Sequence, residues 1–78
     1  MTDILIQDIC RIISLQLGLK NIQDQSRIVE DLGAESADVA NIIAAIESKY
    51  NIRFKESEIA RIYTAADLFN AVMQHVSP

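Results

Sequence analysis

A small all-α bundle, with three long helices, one short helix and a long first loop, is the fold this sequence predicts. Apolar residues recur at helical spacing near both ends of the chain, and an alanine- and isoleucine-rich run of the same period lies between them. Gly18, Ser36 and Thr64 punctuate these runs with a helix stop and two helix starts. Leu5, Ile9, Ile12, Ile13 and Leu17 make the first stripe, so the first helix is expected from Asp3 to Leu17, with Gly18 ending it. From Gly18 to Glu35 the period fails. Leu19, Ile22, Ile28, Val29 and Leu32 nevertheless keep that stretch apolar, which predicts a loop packed across the bundle. The second helix is expected from Ser36 to about Tyr50, with Ser36 as its N-cap and Asp38 favouring the positive end of the helix dipole. Its inward face reads as Ala40, Ile43, Ala44 and Ile46 with Tyr50, leaving Asp38, Val39 and Ile42 nearer the surface. After the connector from Asn51 to Lys55, a short helix is expected over Glu56 to Arg61. Thr64 then caps the last helix, with Asp67 completing a capping box, and Leu68, Phe69, Val72 and Val76 supply its stripe.

Bulk properties narrow the class. A chain of 78 residues makes one domain, 1–78, and folding at that size buries only ~60% of the unfolded surface, which leaves no room for a deep catalytic cleft. Half of the residues are apolar, at 50%, with one proline and two glycines, which argues against disorder. The net charge of −4 speaks against nucleic acid or an anionic bilayer as partner and for basic protein surfaces, and nothing in the chain asks for more than a monomer. A single cysteine, Cys10, excludes a disulfide framework, and as a buried cysteine it reads as a small hydrophobe. No apolar run approaches the ~20 residues of a membrane span. Acidic Asp3 and Asp8 stand where a secretory signal would carry positive charge, so a cytoplasmic, free-standing protein is expected. His75, near the end of the last helix, reads as a partner of the helix dipole or of solvent.

The most informative run is Glu30-Asp31-Leu32-Gly33-Ala34-Glu35-Ser36-Ala37-Asp38, which places a serine after a glycine turn, at a helix start, among four acidic residues. It resembles the Asp-Leu-Gly-(apolar)-Asp-Ser-Leu signature of acyl carrier proteins. The resemblance extends over nearly the whole chain: an apolar helix before the motif, a long loop, and two further helices after it. It implies that Ser36 carries 4'-phosphopantetheine, derived from coenzyme A, through a phosphodiester, and that acyl groups ride on that arm as thioesters. It also implies a phosphopantetheinyl transferase and acyl-loading and acyl-transfer enzymes as partners, with Asp31, Leu32, Gly33, Glu35, Ala37 and Asp38 as motif and docking positions. Carriers of this family shelter cargo between helices. The small residues Ala40, Ala44 and Ala45 leave volume beside Ile43 and Ile46, which makes Ala40, Ile43, Ala44 and Ile46 the candidate acyl pocket.

Two departures from the family pattern bear on partners. Ala37 stands where leucine is usual, and Glu35 where aspartate is. The second helix carries only Asp38 and Glu47 against Lys49, whereas housekeeping fatty-acid carriers are densely acidic there; the following stretch, with Arg53, Lys55 and Arg61, is slightly basic. A dedicated lipid or fatty-acid pathway is expected, with aminoacyl or polyketide cargo as the alternative. A serine hydrolase would need a base beside Ser36 and a Gly-x-Ser-x-Gly elbow, and the local sequence Glu35-Ser36-Ala37 has neither. An unmodified helical interaction module, docking through the acidic loop and second helix, is the remaining alternative.

Overall fold

The computed structural model describes residues 3–76. Its helices are α1 (Ile6–Leu17), α2 (Ser36–Tyr50), α3 (Glu56–Ile59) and α4 (Ala65–Val76), so the predicted pattern of three long helices and one short one holds. The residue just before each helix lies three positions ahead of a carboxylate that reaches back to it. Leu5 N–H donates to Asp8 Oδ2 at 3.0 Å, Glu35 N–H to Asp38 Oδ2 at 3.0 Å, Lys55 N–H to Glu58 Oε1 at 2.9 Å and Thr64 N–H to Asp67 Oδ2 at 3.0 Å. A carboxylate there satisfies an orphan donor and sits at the positive end of the helix dipole. At α4 the bond is reciprocated, because Asp67 N–H donates to Thr64 Oγ1 at 3.0 Å; this is the capping box expected from the sequence.

The same rule moves the start of α1. The first helix was expected from Asp3, but Asp8 can cap only the N–H three residues back, so the chain stays extended at Leu5 (φ −106°, ψ 153°) and helix begins at Ile6. Both long early helices end in one way. Gly18 takes a left-handed conformation at φ +67°, and Leu19 N–H donates to Ser14 O at 3.1 Å; Asn51 does likewise at φ +55°, with Ile52 N–H on Glu47 O at 3.1 Å. Glycine reaches that region freely, and asparagine is among the few other residues that visit it routinely. α3 stops at Ile59 rather than Arg61, and its tail continues as tight turns, with Arg61 N–H on Glu58 O and Ile62 N–H on Ile59 O.

α1 lies against α2 and α4. The core joins Ile9 and Ile13 of α1, Ile42, Ile43 and Ile46 of α2, and Ala65, Leu68 and Val72 of α4, with Ile28 and Ala34 from the first loop and Phe54 from the connector. This corrects the expected inner face of α2, on which Ala40 and Ala44 stood inward and Ile42 outward. Ile42 is 1% exposed, whereas Ala40 and Ala44 face solvent. Val39, Ile43, Ile46 and Tyr50 recur at intervals of four, three and four, which defines one stripe; at ~100° per residue Ala40 and Ala44 turn well away from it, and Ile42 falls beside it.

The first loop does pack across the bundle, and backbone bonds hold it there. Ile28 N–H donates to Tyr63 O at 2.8 Å, Ala66 N–H to Asp24 O at 2.9 Å and Ala65 N–H to Ser26 O at 3.3 Å, which stitches the loop to the start of α4. Ile28 and Ala34 are buried through this docking, and Ile22 and Leu32 half-buried, while Leu19 and Val29 remain exposed. Glu47 fixes the connector after α2, its Oε2 accepting Phe54 N–H at 2.8 Å and turning that ring inward.

Asp67 gives the fold an acid-sensitive joint. The N–H groups of Tyr63 and Thr64 both donate to its Oδ2 at 3.0 Å, and the Tyr63 bond foremost holds its pKa below the usual aspartate range. A depressed folded-state pKa stabilises above the unfolded value, and that stability is lost as pH falls through the folded one. The urea midpoint should therefore drop as pH is lowered below about 4. Asp67→Asn should be less stable than the parent at pH 7, by on the order of 1 kcal/mol as for other lost caps, and its midpoint should change less over the acid window. Parallel pH profiles for the two proteins would count against this joint.

Candidate functional site

Ser36 is the first helical residue of α2 rather than its N-cap, which is Glu35 (φ −92°, ψ 172°). The shift of one position has a cause: Asp38 lies three residues from Glu35 and can cap it, whereas three residues beyond Ser36 stands Val39, which cannot. Its consequence is chemical. The cap is built from the Glu35 amide and the Asp38 carboxylate, so the exposed Ser36 hydroxyl has no part in it. The first intrahelical bond runs from Val39 N–H to Glu35 O at 3.0 Å, so the N–H groups of Ser36, Ala37 and Asp38 have no acceptor within the helix. A phosphate esterified to Ser36 would meet these donors and the positive helix end, an arrangement suited to an anion. The residues present thus fit a phosphodiester-linked group.

The loop that delivers Ser36 is locally rigid. Asp31 Oδ2 accepts Arg27 N–H at 2.9 Å, Gly33 N–H donates to Val29 O at 3.0 Å, and Ala34 N–H donates to Ile28 O at 3.1 Å. Gly33 sits at φ +72° with open space where a Cβ would stand, so its role is the left-handed turn itself. Of the predicted motif positions, Leu32 packs against the core, Asp31 and Asp38 hold turns, and Glu35 and Ala37 are exposed beside Ser36. Glu30 pairs with the Arg27 guanidinium, which tempers the acidic rim on that side.

An apolar hollow of about 220 Å³ opens one turn below the serine. Its floor is Ile28, Ile42, Ile43 and Leu68, all buried; its far wall is Ile59 and Ile62; and Val29, Val39 and Tyr63 form its mouth. Val39, three residues after Ser36, lies ~4.5 Å further along the helix axis, which sets the mouth beside the serine. Of the four predicted pocket residues only Ile43 lines this hollow. Ile46 is in the core behind it, and the exposed Ala40 and Ala44 are on another side of α2, where Ala44 borders a shallow surface hollow with Glu47, Ser48 and Arg53. The space comes from the junction of α2, α3 and the first loop, not from the alanines. Following the Val39, Ile43, Ile46, Tyr50 stripe would have pointed to Val39 and Ile42, and the Ile59, Ile62 pair to the far wall.

Cys10 is half-buried, and burial chiefly, with Asp24 adding, raises its thiol pKa and keeps it protonated. That fits a packing role. Among the described residues, no helix is long and apolar enough to cross a membrane.

Comparison with known proteins agrees with the geometry. A family model described as a phosphopantetheine attachment site matches residues 7–72. The acyl carrier protein of Wolinella succinogenes is 36% identical over 63 residues, covering 78% of this chain and 83% of its own. Those of Buchnera aphidicola subsp. Baizongia pistaciae and Clostridium acetobutylicum are 34% and 32% identical, over 85% and 82% of this chain and 87% and 86% of theirs. The chain belongs to the phosphopantetheine-carrying acyl carrier protein family. It is a carrier and not an enzyme, its cofactor is 4'-phosphopantetheine, and its partners as a class are transferases and acyl-handling enzymes.

Proposed function

We propose that Ser36 is the attachment residue and that this carrier holds aliphatic acyl chains for a dedicated fatty-acid or lipid pathway. The observation that carries the reading is the position of Ser36: first in α2, exposed, outside the cap, with unpaired backbone N–H groups beside it. When attached, the group supplies a terminal thiol that holds acyl cargo as a thioester. The chain's own residues do the rest. Ser36 provides the oxygen of the ester linkage, Gly33 and Asp31 hold the turn that presents it, and Glu35 and Asp38 offer negative charge to the basic surface of a transferase. The hollow lined by Ile28, Ile42, Ile43 and Leu68 then takes the chain out of water. An all-hydrocarbon floor favours an unsubstituted aliphatic chain over an aminoacyl or polyhydroxylated one, whose polar groups would enter it without partners. The protein acts as a cytoplasmic monomer in this reading.

Co-expression with a broad-specificity phosphopantetheinyl transferase should add one phosphopantetheinyl mass to the parent protein and none to Ser36→Ala, read by intact mass spectrometry. Modification of the alanine variant would move the site elsewhere.

The hollow generates a second expectation. Each methylene taken from water contributes up to ~0.8 kcal/mol, against a total stability of order 5 kcal/mol for a domain this small. A medium-chain acyl form should therefore melt several degrees above the acetyl form. Val39→Phe, which fills the mouth, should erase most of that difference, and Ala44→Leu, on another side of α2, should leave it intact. Equal melting of the two forms of the parent would mean that the chain stays outside.

The outer face of α2 generates a third. Ala37, Ala40, Asn41, Ala44 and Ser48 are all exposed and uncharged, a smooth strip leading away from Ser36. Enzymes of primary fatty-acid synthesis should turn over the loaded protein poorly, and Ala37→Leu with Asn41→Glu should raise the rate several-fold. Elongation rates already equal to those with a housekeeping carrier would rule out specialisation through this face.

A further inference from the structure

α3 is the shortest of the helices in the described residues. It has four residues, none of them buried, yet the segment it begins carries Ile59 and Ile62, the far wall of the apolar hollow. The sequence suggested that His75 would serve the helix dipole or solvent. Instead, on the last turn of α4, its Nε2 lies 2.8 Å from Glu58 Oε2. Its ring also meets the buried Phe54 edge-on, with centroids 5.1 Å apart and planes at 87°. The other oxygen of the same carboxylate, Oε1, accepts Lys55 N–H at 2.9 Å and starts α3. One side chain therefore both begins the short helix and ties it to α4. Phe54 is itself anchored by its N–H to Glu47 of α2, so the imidazole closes a chain of contacts from α2 through the connector to α4.

We propose that Glu58 and His75 form a charge-dependent latch that holds α3 against α4 and thereby sets how wide the aliphatic hollow can open. The coupling to cargo rests on the hollow being the acyl site, whereas the latch itself does not. An imidazole changes charge between about pH 5 and 8, and its ion pair with a carboxylate exists only while it is protonated. Glu58 remains ionised across that range, since the Lys55 N–H foremost, and then the His75 bond, lower its pKa. The charged groups around the pair are carboxylates, lysine and arginines, and none is a second imidazole. Lys55 and Glu56 on α3 are exposed; Arg61 and Asp67 line the groove between α3 and α4, with Asp67 tied to Tyr63 and Thr64. On α1, which packs on α4, Asp8 caps its own helix and Arg11 is exposed. In the first loop, stitched to the other end of α4, Asp24 and Arg27 are exposed. His75 is the one histidine in the sequence.

Hydrogen exchange on the unmodified full chain tests the latch without any cargo. Protection factors of the Ile59, Ala60, Arg61 and Ile62 amides should fall about two- to five-fold from pH 6 to pH 8, the range expected of a solvent-accessible ion pair, while those of α1 and α2 stay constant. Glu58→Gln and His75→Gln should be low at both pH values, and His75→Lys, which keeps its charge, should be high at both. Equal protection at pH 6 in the parent and both glutamine variants overturns the latch, as does a loss shared equally by α1 and α2. For the cargo, a series of acyl chain lengths is loaded and melted. Glu58→Gln should raise the longest chain that still increases the melting temperature by at least two methylenes, and an unchanged limit overturns the coupling. If no chain length raises the melting temperature of either protein, the sheltering of cargo fails and the coupling with it, and the exchange pattern of α3 still decides the latch.

Discussion

The bond from the Glu35 amide to the Asp38 carboxylate sets the register of α2, and most of what this protein presents follows from that register. With Glu35 as the cap, Ser36 becomes the first helical residue and its hydroxyl stays outside the hydrogen-bonded structure. The same rotation sends Ile42, Ile43 and Ile46 into the core, turns Val39 to the mouth of the hollow, and leaves Ala37, Ala40 and Ala44 on the outer surface. Had Ser36 itself been the cap, its oxygen would have been engaged in bonding the first turn. The device recurs at every helix start in the described residues, with Asp8, Glu58 and Asp67 in the equivalent role, so part of the chain's acidity is architectural.

That division of labour among acidic residues matters for recognition. Asp31 and Asp38 each hold a backbone N–H and Glu30 is paired with Arg27, so these charges near Ser36 are fixed in place by the fold. Fixed charge steers and discriminates among partners more than it adds affinity. Further along α2 the exposed Ala40, Asn41, Ala44 and Ser48 are small and uncharged as far as Lys49, and beyond the helix Arg53, Lys55 and Arg61 are exposed. A partner reading this protein meets negative, neutral and then positive surface within one helix and its connector.

The hollow depends on contacts far apart in sequence. Ile28 reaches it because its amide bonds Tyr63 O, and Leu68 because the capping box of α4 begins that helix at Ala65. Ile59 and Ile62 arrive on a segment tied at its start by Glu58 to His75 and at its end by Tyr63 to Ile28 and Asp67. The Ile28 wall is thus held by a backbone bond, the Leu68 wall by a capping box, and the α3 wall is tied to α4 by a side-chain pair.

Local rules acting over a few residues were legible in the sequence. The Ile9–Ile13 stripe of α1, the Leu68–Val72 stripe of α4, the glycine stop at Gly18 and the Thr64–Asp67 capping box each depend on neighbours within one or two turns, and these stand in the structure. The motif around Ser36 marked the family for the same reason, since its glycine turn, acidic rim and helix start are contiguous. The chain's three-dimensional packing decided the rest. Which face of α2 is buried could not be read from alanine content, because small side chains fit a surface as well as a tight interface. Only the positions of α1, α4 and the docked loop selected the Val39–Ile43–Ile46 stripe. The hollow is likewise a property of where Ile28, Ile59 and Leu68 meet, three residues that no local spacing relates. The pairing of His75 with Glu58, across 17 positions of sequence, exists because the connector folds Phe54 inward and lays α3 along the end of α4.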